Sequence, residues 1–236
     1  MHKKIAFLCC LLSICLAGKT QAETVLADLL VYRVEKTAVS APYLSRIMVS
    51  DDMLRMDEAG DDSDGSVGGY LLLDRKARLV LSVDPESRSV MVIGPPADDA
   101  GSESAVTLEI ESRPLDGAPL FAGKQPMKHA FHVQGKECFS IVSIEGVMPR
   151  AMKALREMNS ILAERHRRVL GSAADTQQDC RFLVDAYRPG IAYSMGLMLT
   201  MMNGSENQQL VDYQQEMQVD AGFFEEPLEY NRFTMP

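Results

Sequence analysis

The chain has 236 residues, of which 46% are hydrophobic, so it is long enough to bury one sizeable core. It carries 33 acidic against 24 basic residues, a net charge of −9. An acidic surface repels phosphate backbones and anionic lipid headgroups, which argues against a nucleic-acid-binding protein.

The first segment has the three parts of a secretory signal peptide. Lys3 and Lys4 form a basic start, and an apolar stretch follows over residues 5–16. Thr20 and Ala22 then place small residues at the positions that precede a cut after Ala22. The apolar stretch is shorter than the roughly 20 residues that a membrane span needs.

We therefore expect residues 1–22 to be a cleaved leader and residues 23–236 to be one exported domain. The lysine-rich, compact leader suggests a bacterial periplasm and no transmembrane segment in the mature chain. One alternative is lipidation of Cys15, although Ile14 is not the small residue that usually precedes a lipidated cysteine.

The N-terminal half of the mature chain predicts consecutive strands. Its segments are rich in β-forming residues or alternate apolar and polar side chains, and short turns such as Asp51-Asp52 and 84–87 separate them. Strands joined by such short turns form an antiparallel meander. The predicted strands are 25–35, 43–50, 53–58, 70–74, 78–84 and 88–93, with loops rich in Asp, Ser, Gly and Pro over 59–69 and 94–105.

The second half predicts more strands and one long helix. Pro149 suits the first turn of that helix and Gly171 its end, and apolar residues recur between them at helical spacing. The other predicted elements are strands at 106–113, 130–135, 137–145 and 208–219, and a short helix at 180–187. The sum is an α+β fold, a curved antiparallel sheet forming an open half-barrel, with the long helix on its concave face.

Cys138 and Cys180 are the two cysteines of the mature chain. Two thiols in an oxidising compartment usually pair, and a bridge closing this long loop would stabilise the fold by roughly 4 kcal/mol. A redox-active or metal-binding pair is the alternative, but the chain has no C-x-x-C spacing to support it.

Several short motifs resemble a known family. The stretches YLSRIMVSDDMLRMDE and GYLLLDRKARLVLSVDPESRSVMVI, with Arg55 and Asp57 at a strand end and the turn Asp84-Pro85, resemble uncharacterised periplasmic proteins of the LolA-like lipoprotein-carrier fold. The ending F-x-x-P-x-x-Y from Phe224 is similar as well. The resemblance implies an incomplete barrel that holds acyl chains or senses a lipoprotein.

A cavity between sheet and helix would be lined by apolar side chains. On the sheet these are apolar positions at period two, and on the helix they are the apolar face that opposes them. The candidate ligand-binding residues are Ile47, Val49, Leu54, Met56, Leu71, Leu73, Leu79, Leu81, Met152, Leu155 and Met158.

Four methionines, Met195, Met198, Met201 and Met202, lie close together and would share a face if the segment were helical. Three interpretations stay open: a thioether site for Cu(I), a deformable lining for a hydrophobic ligand, and core filling. No Cys or His stands beside the cluster, which weakens the first.

Two further groups could bind metals but have simpler interpretations. The acidic segment 57–64 lacks the closing glutamate of a calcium loop and suits a solvated loop. In a strand, His129 and His132 would point to opposite faces, so exposed or capping roles are expected for them and for His166.

No catalytic motif of the nucleophile-elbow, zinc-protease or phosphate-loop type occurs in the sequence. We therefore expect a periplasmic binding or carrier protein, not an enzyme, with no cofactor, that holds an acyl or lipidated ligand, such as a lipoprotein or another envelope protein. The alternative is a structural or interaction protein of the envelope whose interior is filled by its own side chains.

Overall fold

The computed structural model of the protein describes residues 23–37, 41–59, 68–94, 107–172 and 180–234. Within these ranges, twelve strands form one sheet, in the order β12-β6-β5-β4-β3-β2-β1-β11-β10-β9-β8-β7. The strands are β1 (Thr24–Lys36), β2 (Tyr43–Val49), β3 (Met53–Ala59), β4 (Tyr70–Asp74), β5 (Leu79–Asp84), β6 (Ser89–Ile93), β7 (Leu108–Pro114), β8 (Met127–Val133), β9 (Lys136–Ile144), β10 (Leu197–Asn203), β11 (Glu206–Asp220) and β12 (Asn231–Thr234).

Three helices lie in the described ranges. They are α1 (Pro149–Ser172), α2 (Cys180–Tyr187) and α3 (Ile191–Ser194), and a 3₁₀ turn covers Ala221–Phe224. The helix predicted to begin at Pro149 and end near Gly171 is confirmed as α1. It contacts α2 and α3 as well as β2, β3 and β5.

The predicted half-barrel with one long helix on its concave face is wrong. The strands form a single open sheet of twelve, and three helices accompany it. Two long-range pairings explain the difference, because β11 pairs along the whole of β1 and β12 adds a parallel strand beside β6. Short-range periodicity carries no information about such pairings.

The main core lies between the helices and the face of the sheet that they cover, here called the inner face. Its buried residues come from β1 to β5, from β8 to β10 and from all three helices. Leu155 on α1 and Leu30, Leu54 and Leu73 on the sheet are fully buried. The interface between α1 and the central strands is therefore filled by side chains.

A second, smaller cluster lies on the opposite face, here called the outer face. Leu72, Leu81, Val83, Val90 and Val92 are buried there, and Tyr230 of the C-terminal segment packs against them. The C-terminal segment, residues 221–234, thus covers the outer face of β4 to β6 before its last residues pair with β6.

Arg55 fastens the C-terminal segment to the sheet. Its guanidinium carbon lies 3.8 Å from the centre of the Tyr70 ring and 4.3 Å from the centre of the Phe223 ring. The same group donates to the Phe223 carbonyl at 2.9 Å and to Oδ1 of Asp57 at 2.9 Å. The basic and acidic pair singled out in the sequence therefore has a structural role here.

The structure joins Cys138 and Cys180 in a disulfide, with their Cα atoms 5.7 Å apart. The pairing of β8 with β9 shifts between Phe131 and His132, so Cys138 is an extra residue in β9. Such a bulge re-aims a side chain. It turns Cys138 toward α2, which begins at Cys180 and is thereby tied to the sheet.

Candidate functional site

Nine of the eleven predicted lining residues lie together at the interface of the inner face with the helices. Seven of them are buried in the main core, and Met56 and Leu71 are partly buried and pack against it. The seven buried residues are Ile47, Val49, Leu54, Leu73, Met152, Leu155 and Met158.

Leu79 and Leu81 lie elsewhere, in contact with the outer-face cluster. Val80 takes the inward position instead and pairs with Leu73 of β4. The predicted register of β5 is thus displaced by one residue, and a displacement of one exchanges the two faces of a strand.

A cleft of about 290 Å³ opens where the filled interface ends, between α1 and the end of the hairpin made by β4 and β5. Leu73 and Ile161 line its apolar side, and both are almost fully buried by their neighbours. Arg75, Arg78, Glu157 and Ser160 supply its polar surface.

An apolar wall on the inner face adjoins this cleft. Met56 of β3 pairs with Leu71, which is two residues from Leu73 on the same face of β4. On the other side Val80 of β5 pairs with Ile93 of β6. Met56, Leu71 and Ile93 are only partly buried, so this wall keeps apolar surface in reach of solvent.

Arg75 forms a rigid side of the cleft. Its Nε donates to Oε2 of Glu157 at 2.6 Å, its Nη2 to Oε1 at 3.2 Å, and its Nη1 to the Asp51 carbonyl at 2.7 Å. All three guanidinium nitrogens are occupied, so Arg75 positions the hairpin against α1.

Arg78 differs from Arg75. It is exposed, adopts a φ of 55° in the turn before β5, and makes no hydrogen bond or ion pair with any other described residue. Its guanidinium is therefore available to an anionic group at the mouth of the cleft. The sequence predicts Arg78 as the first residue of the strand 78–84, whereas the structure places it in the turn before β5.

The four methionines do not form one helical face. Met198 and Met201 are buried in β10, whereas Met202 is 59% exposed, because successive strand residues point to opposite faces. Nη1 of Arg181 contacts the sulfur of Met201. The buried pair fills core space.

His129 is not an exposed or capping residue as predicted, since only 6% of it is accessible. His132 is partly buried on the opposite face of β8, as strand alternation predicts. The side chain of His166, the predicted leader at 1–22 and most of the acidic segment 57–64 lie outside the described residues.

No helix among the residues that the structure describes is long and apolar enough to cross a membrane. The described ranges also contain no group of three or more side chains that could hold a metal ion.

No family model matches the sequence, and no curated protein is similar to it. An uncharacterised conserved protein from Thermus thermophilus is similar in structure, with 7% identity, a TM-score of 0.46, and coverage of 89% of this chain and 90% of that one. PNGF-II is similar in two crystal forms, with 9% and 8% identity and TM-scores of 0.41 and 0.42. The match covers 89% of this chain and 31% of PNGF-II. These similarities are too low to carry an argument about function.

Proposed function

We propose that this chain is an exported binding protein that holds an amphiphilic ligand, an acyl chain with an anionic end, at the cleft between α1 and β4–β5. One observation carries the proposal: a cleft lined by Leu73 and Ile161 has a cation at its mouth, Arg78, that forms no hydrogen bond or ion pair with any other described residue. Ligand sites commonly combine an apolar surface with a few placed polar groups.

The apolar wall supplies the binding energy in this proposal. Met56, Leu71 and Ile93 are partly exposed beside the cleft, and a hydrocarbon chain lying on them would remove their remaining surface from water. Each buried methylene contributes about 0.8 kcal/mol before ordering costs are subtracted. Methionine at this position suits chains of different shape, because its side chain is flexible.

Export to the periplasm is part of the same proposal. The leader-like segment at 1–22 supports it, and so does the disulfide between Cys138 and Cys180, because disulfides persist in oxidising compartments.

A second candidate is an envelope interaction protein without a small ligand. The filled interface between α1 and the central strands favours it, since Leu30, Leu54 and Leu155 are fully buried there. Ligand binding at the cleft decides between the two candidates.

The deciding experiment is calorimetric titration of the mature protein with saturated fatty acids of increasing length. Affinity should rise by about fourfold for each added methylene until the wall is covered. Arg78→Gln should weaken fatty-acid binding by about threefold and leave binding of the matching alkyl alcohol unchanged, because it removes one exposed charge.

Ser160→Trp tests the location of the site. Ser160 is an exposed residue of α1 at the cleft, so an indole there fills the space without disturbing the core, and binding should be lost. Gln214→Trp is the matched control, because it adds the same bulk at an exposed position of β11. No binding, or equal affinities for all chain lengths, would favour the interaction protein, whereas unchanged binding by Ser160→Trp would show that the ligand does not bind at the cleft.

A further inference from the structure

Three side chains on neighbouring strands form a continuous hydrogen-bonded chain at the β7 end of the sheet. Oγ of Ser112 on β7 lies 2.7 Å from Nδ1 of His129 on β8, and Nε2 of His129 lies 3.0 Å from Oγ of Ser143 on β9. Oγ of Ser143 in turn donates to the Met195 carbonyl at 2.8 Å.

The Met195 carbonyl, at one end of this hydrogen-bonded network, fixes the position of every proton in the network. A carbonyl only accepts, so the Ser143 hydroxyl proton points at Met195, and the Ser143 oxygen accepts from Nε2–H of His129. Nδ1 is then the unprotonated nitrogen, and it accepts the hydroxyl proton of Ser112. Ser112 is thus paired with a base whose tautomer is held by a third group, which is the arrangement of an activated nucleophile.

The two ends of this hydrogen-bonded network differ in their exposure to solvent. His129 is 6% accessible and Ser143 is fully buried, whereas Ser112 is exposed on the last strand of the sheet in the described chain. His129 is therefore shielded from solvent, whereas the serine that it faces is an exposed residue.

The backbone N–H of Ser112 also points outward, away from β8. The N–H of Leu115 donates to the Pro126 carbonyl, and the N–H of Gln134 donates to the Thr107 carbonyl. Both bonds join residue pairs that continue the β7–β8 register. Hydrogen-bonded and non-hydrogen-bonded pairs alternate along an antiparallel ladder. Ser112 and His129 therefore form a non-hydrogen-bonded pair, which brings their side chains close and directs the N–H of Ser112 away from β8 to the open edge.

We propose that Ser112 is a nucleophile for acyl transfer from carboxylic esters, with His129 as its general base and Ser143 as a positioning residue. In the first step Oγ of Ser112 bonds to the ester carbonyl carbon while its proton moves to Nδ1 of His129. The outward N–H of Ser112 can donate to the oxyanion. The alcohol leaves with the proton from Nδ1, and water then releases the acid by the reverse sequence.

Burial lowers the pKa of His129, which keeps it neutral and able to accept a proton near neutral pH. Its direct partners are the hydroxyl groups of Ser112 on β7 and Ser143 on β9. The Ser143 hydroxyl donates in turn to the Met195 carbonyl in the turn before β10. The charged side chains at the neighbouring positions, Glu111, Arg113 and Lys128, line the opposite face of the sheet.

The test is labelling of the mature protein with an alkyl fluorophosphonate, followed by intact mass and peptide mapping. Ser112 should displace fluoride and carry one phosphonyl group per chain. Ser112→Ala should abolish the adduct, and His129→Gln should slow labelling by about 100-fold, as expected for loss of a general base. Ser140→Ala on β9 removes a serine hydroxyl outside the network and should leave the rate unchanged.

His129→Gln removes a buried group and could unfold the edge of the sheet, so the unaltered protein supplies a second measurement. Its labelling rate should decrease as the pH is lowered below the ordinary histidine range, because one group, His129, becomes protonated. A nitrophenyl ester should give a burst of one nitrophenolate per chain. No adduct, an adduct on other serines, or a rate independent of pH would overturn the proposal, whatever the outcome of fatty-acid titration at the cleft.

Discussion

The guanidinium of Arg75 donates two hydrogen bonds, 2.6 Å and 3.2 Å long, to the carboxylate of Glu157 and so joins the turn between β4 and β5 to α1. The Arg75 side chain is 11% exposed and the Glu157 side chain 36%. Paired contacts of this geometry are stronger than single ion pairs. The cleft therefore has a fixed width on this side.

Arg75→Met should lower the free energy of unfolding by about 2 kcal/mol, because it leaves the partly buried Ser50 carbonyl and Glu157 carboxylate without this donor. Urea denaturation measures the change. Lys76→Met is the matched control, since it removes an exposed pair with Asp52 and should change stability by no more than about 0.5 kcal/mol. Equal losses in the two variants would contradict a special role for Arg75.

Arg55 should hold the C-terminal segment in place. Arg55→Met removes two ring contacts and the bond to the Phe223 carbonyl, and we expect local opening to become easier by about 2 kcal/mol. Amide hydrogen exchange over 221–234 should then speed up by about 30-fold. Arg232→Met, which removes an exposed contact with Glu226, should change it by about twofold or less. Similar exchange in both variants would show that Arg55 does not hold the segment in place.

Replacing both cysteines by serine should destabilise the protein substantially. The bridge between Cys138 and Cys180 spans 42 positions, for which the chain-entropy model gives about 4 kcal/mol. Chemical denaturation of the double variant measures the loss. Thiol labelling of the unfolded, unreduced protein should find no free thiol, and two reactive thiols would refute the bridge.

Protonation of His129 should make the fold less stable in mild acid. Burial lowers the pKa of His129 below its ordinary value of 6.5, so both states are neutral above that pH and no effect is expected. As pH falls below 6.5 the unfolded chain binds the proton first, and stability decreases by at most about 1.4 kcal/mol per pH unit until the folded pKa is reached. The wild-type stability minus that of His129→Gln, measured by urea denaturation, should fall over this window. A constant difference would contradict the expected shift.

Local sequence patterns predict local structure well in this chain. The predicted strand 70–74 is β4, and 208–219 lies within β11, because alternation and turn residues act over a few positions. The four methionines would share a face in a helix, yet the segment around Met198 forms β10, which pairs with β9 on one side and with β11 on the other.

The candidate sites were far less predictable. The sequence places Leu79 and Leu81 on the wrong face because both faces of β5 are covered, the outer one by the C-terminal segment, so an apolar face need not be the one that meets α1. Glu157 meets Arg75, and Ser112 meets His129, only through tertiary structure, so neither contact leaves a motif. His129 could be recognised as a buried base only once its two hydroxyl partners were known.

The central position of β1 has a consequence for the order of folding. Its residues pair with β2 on one side and with β11 on the other. Tyr32 is therefore paired with Leu210, from which it is separated by most of the sequence. Such distant pairings close slowly, because the entropy of a long loop must be lost before any contact compensates for it. The two halves of the sheet cannot join until the last fifth of the polypeptide is present. A chain built in this way stays open while it is being synthesised, and a protein that crosses a membrane unfolded would benefit from that delay.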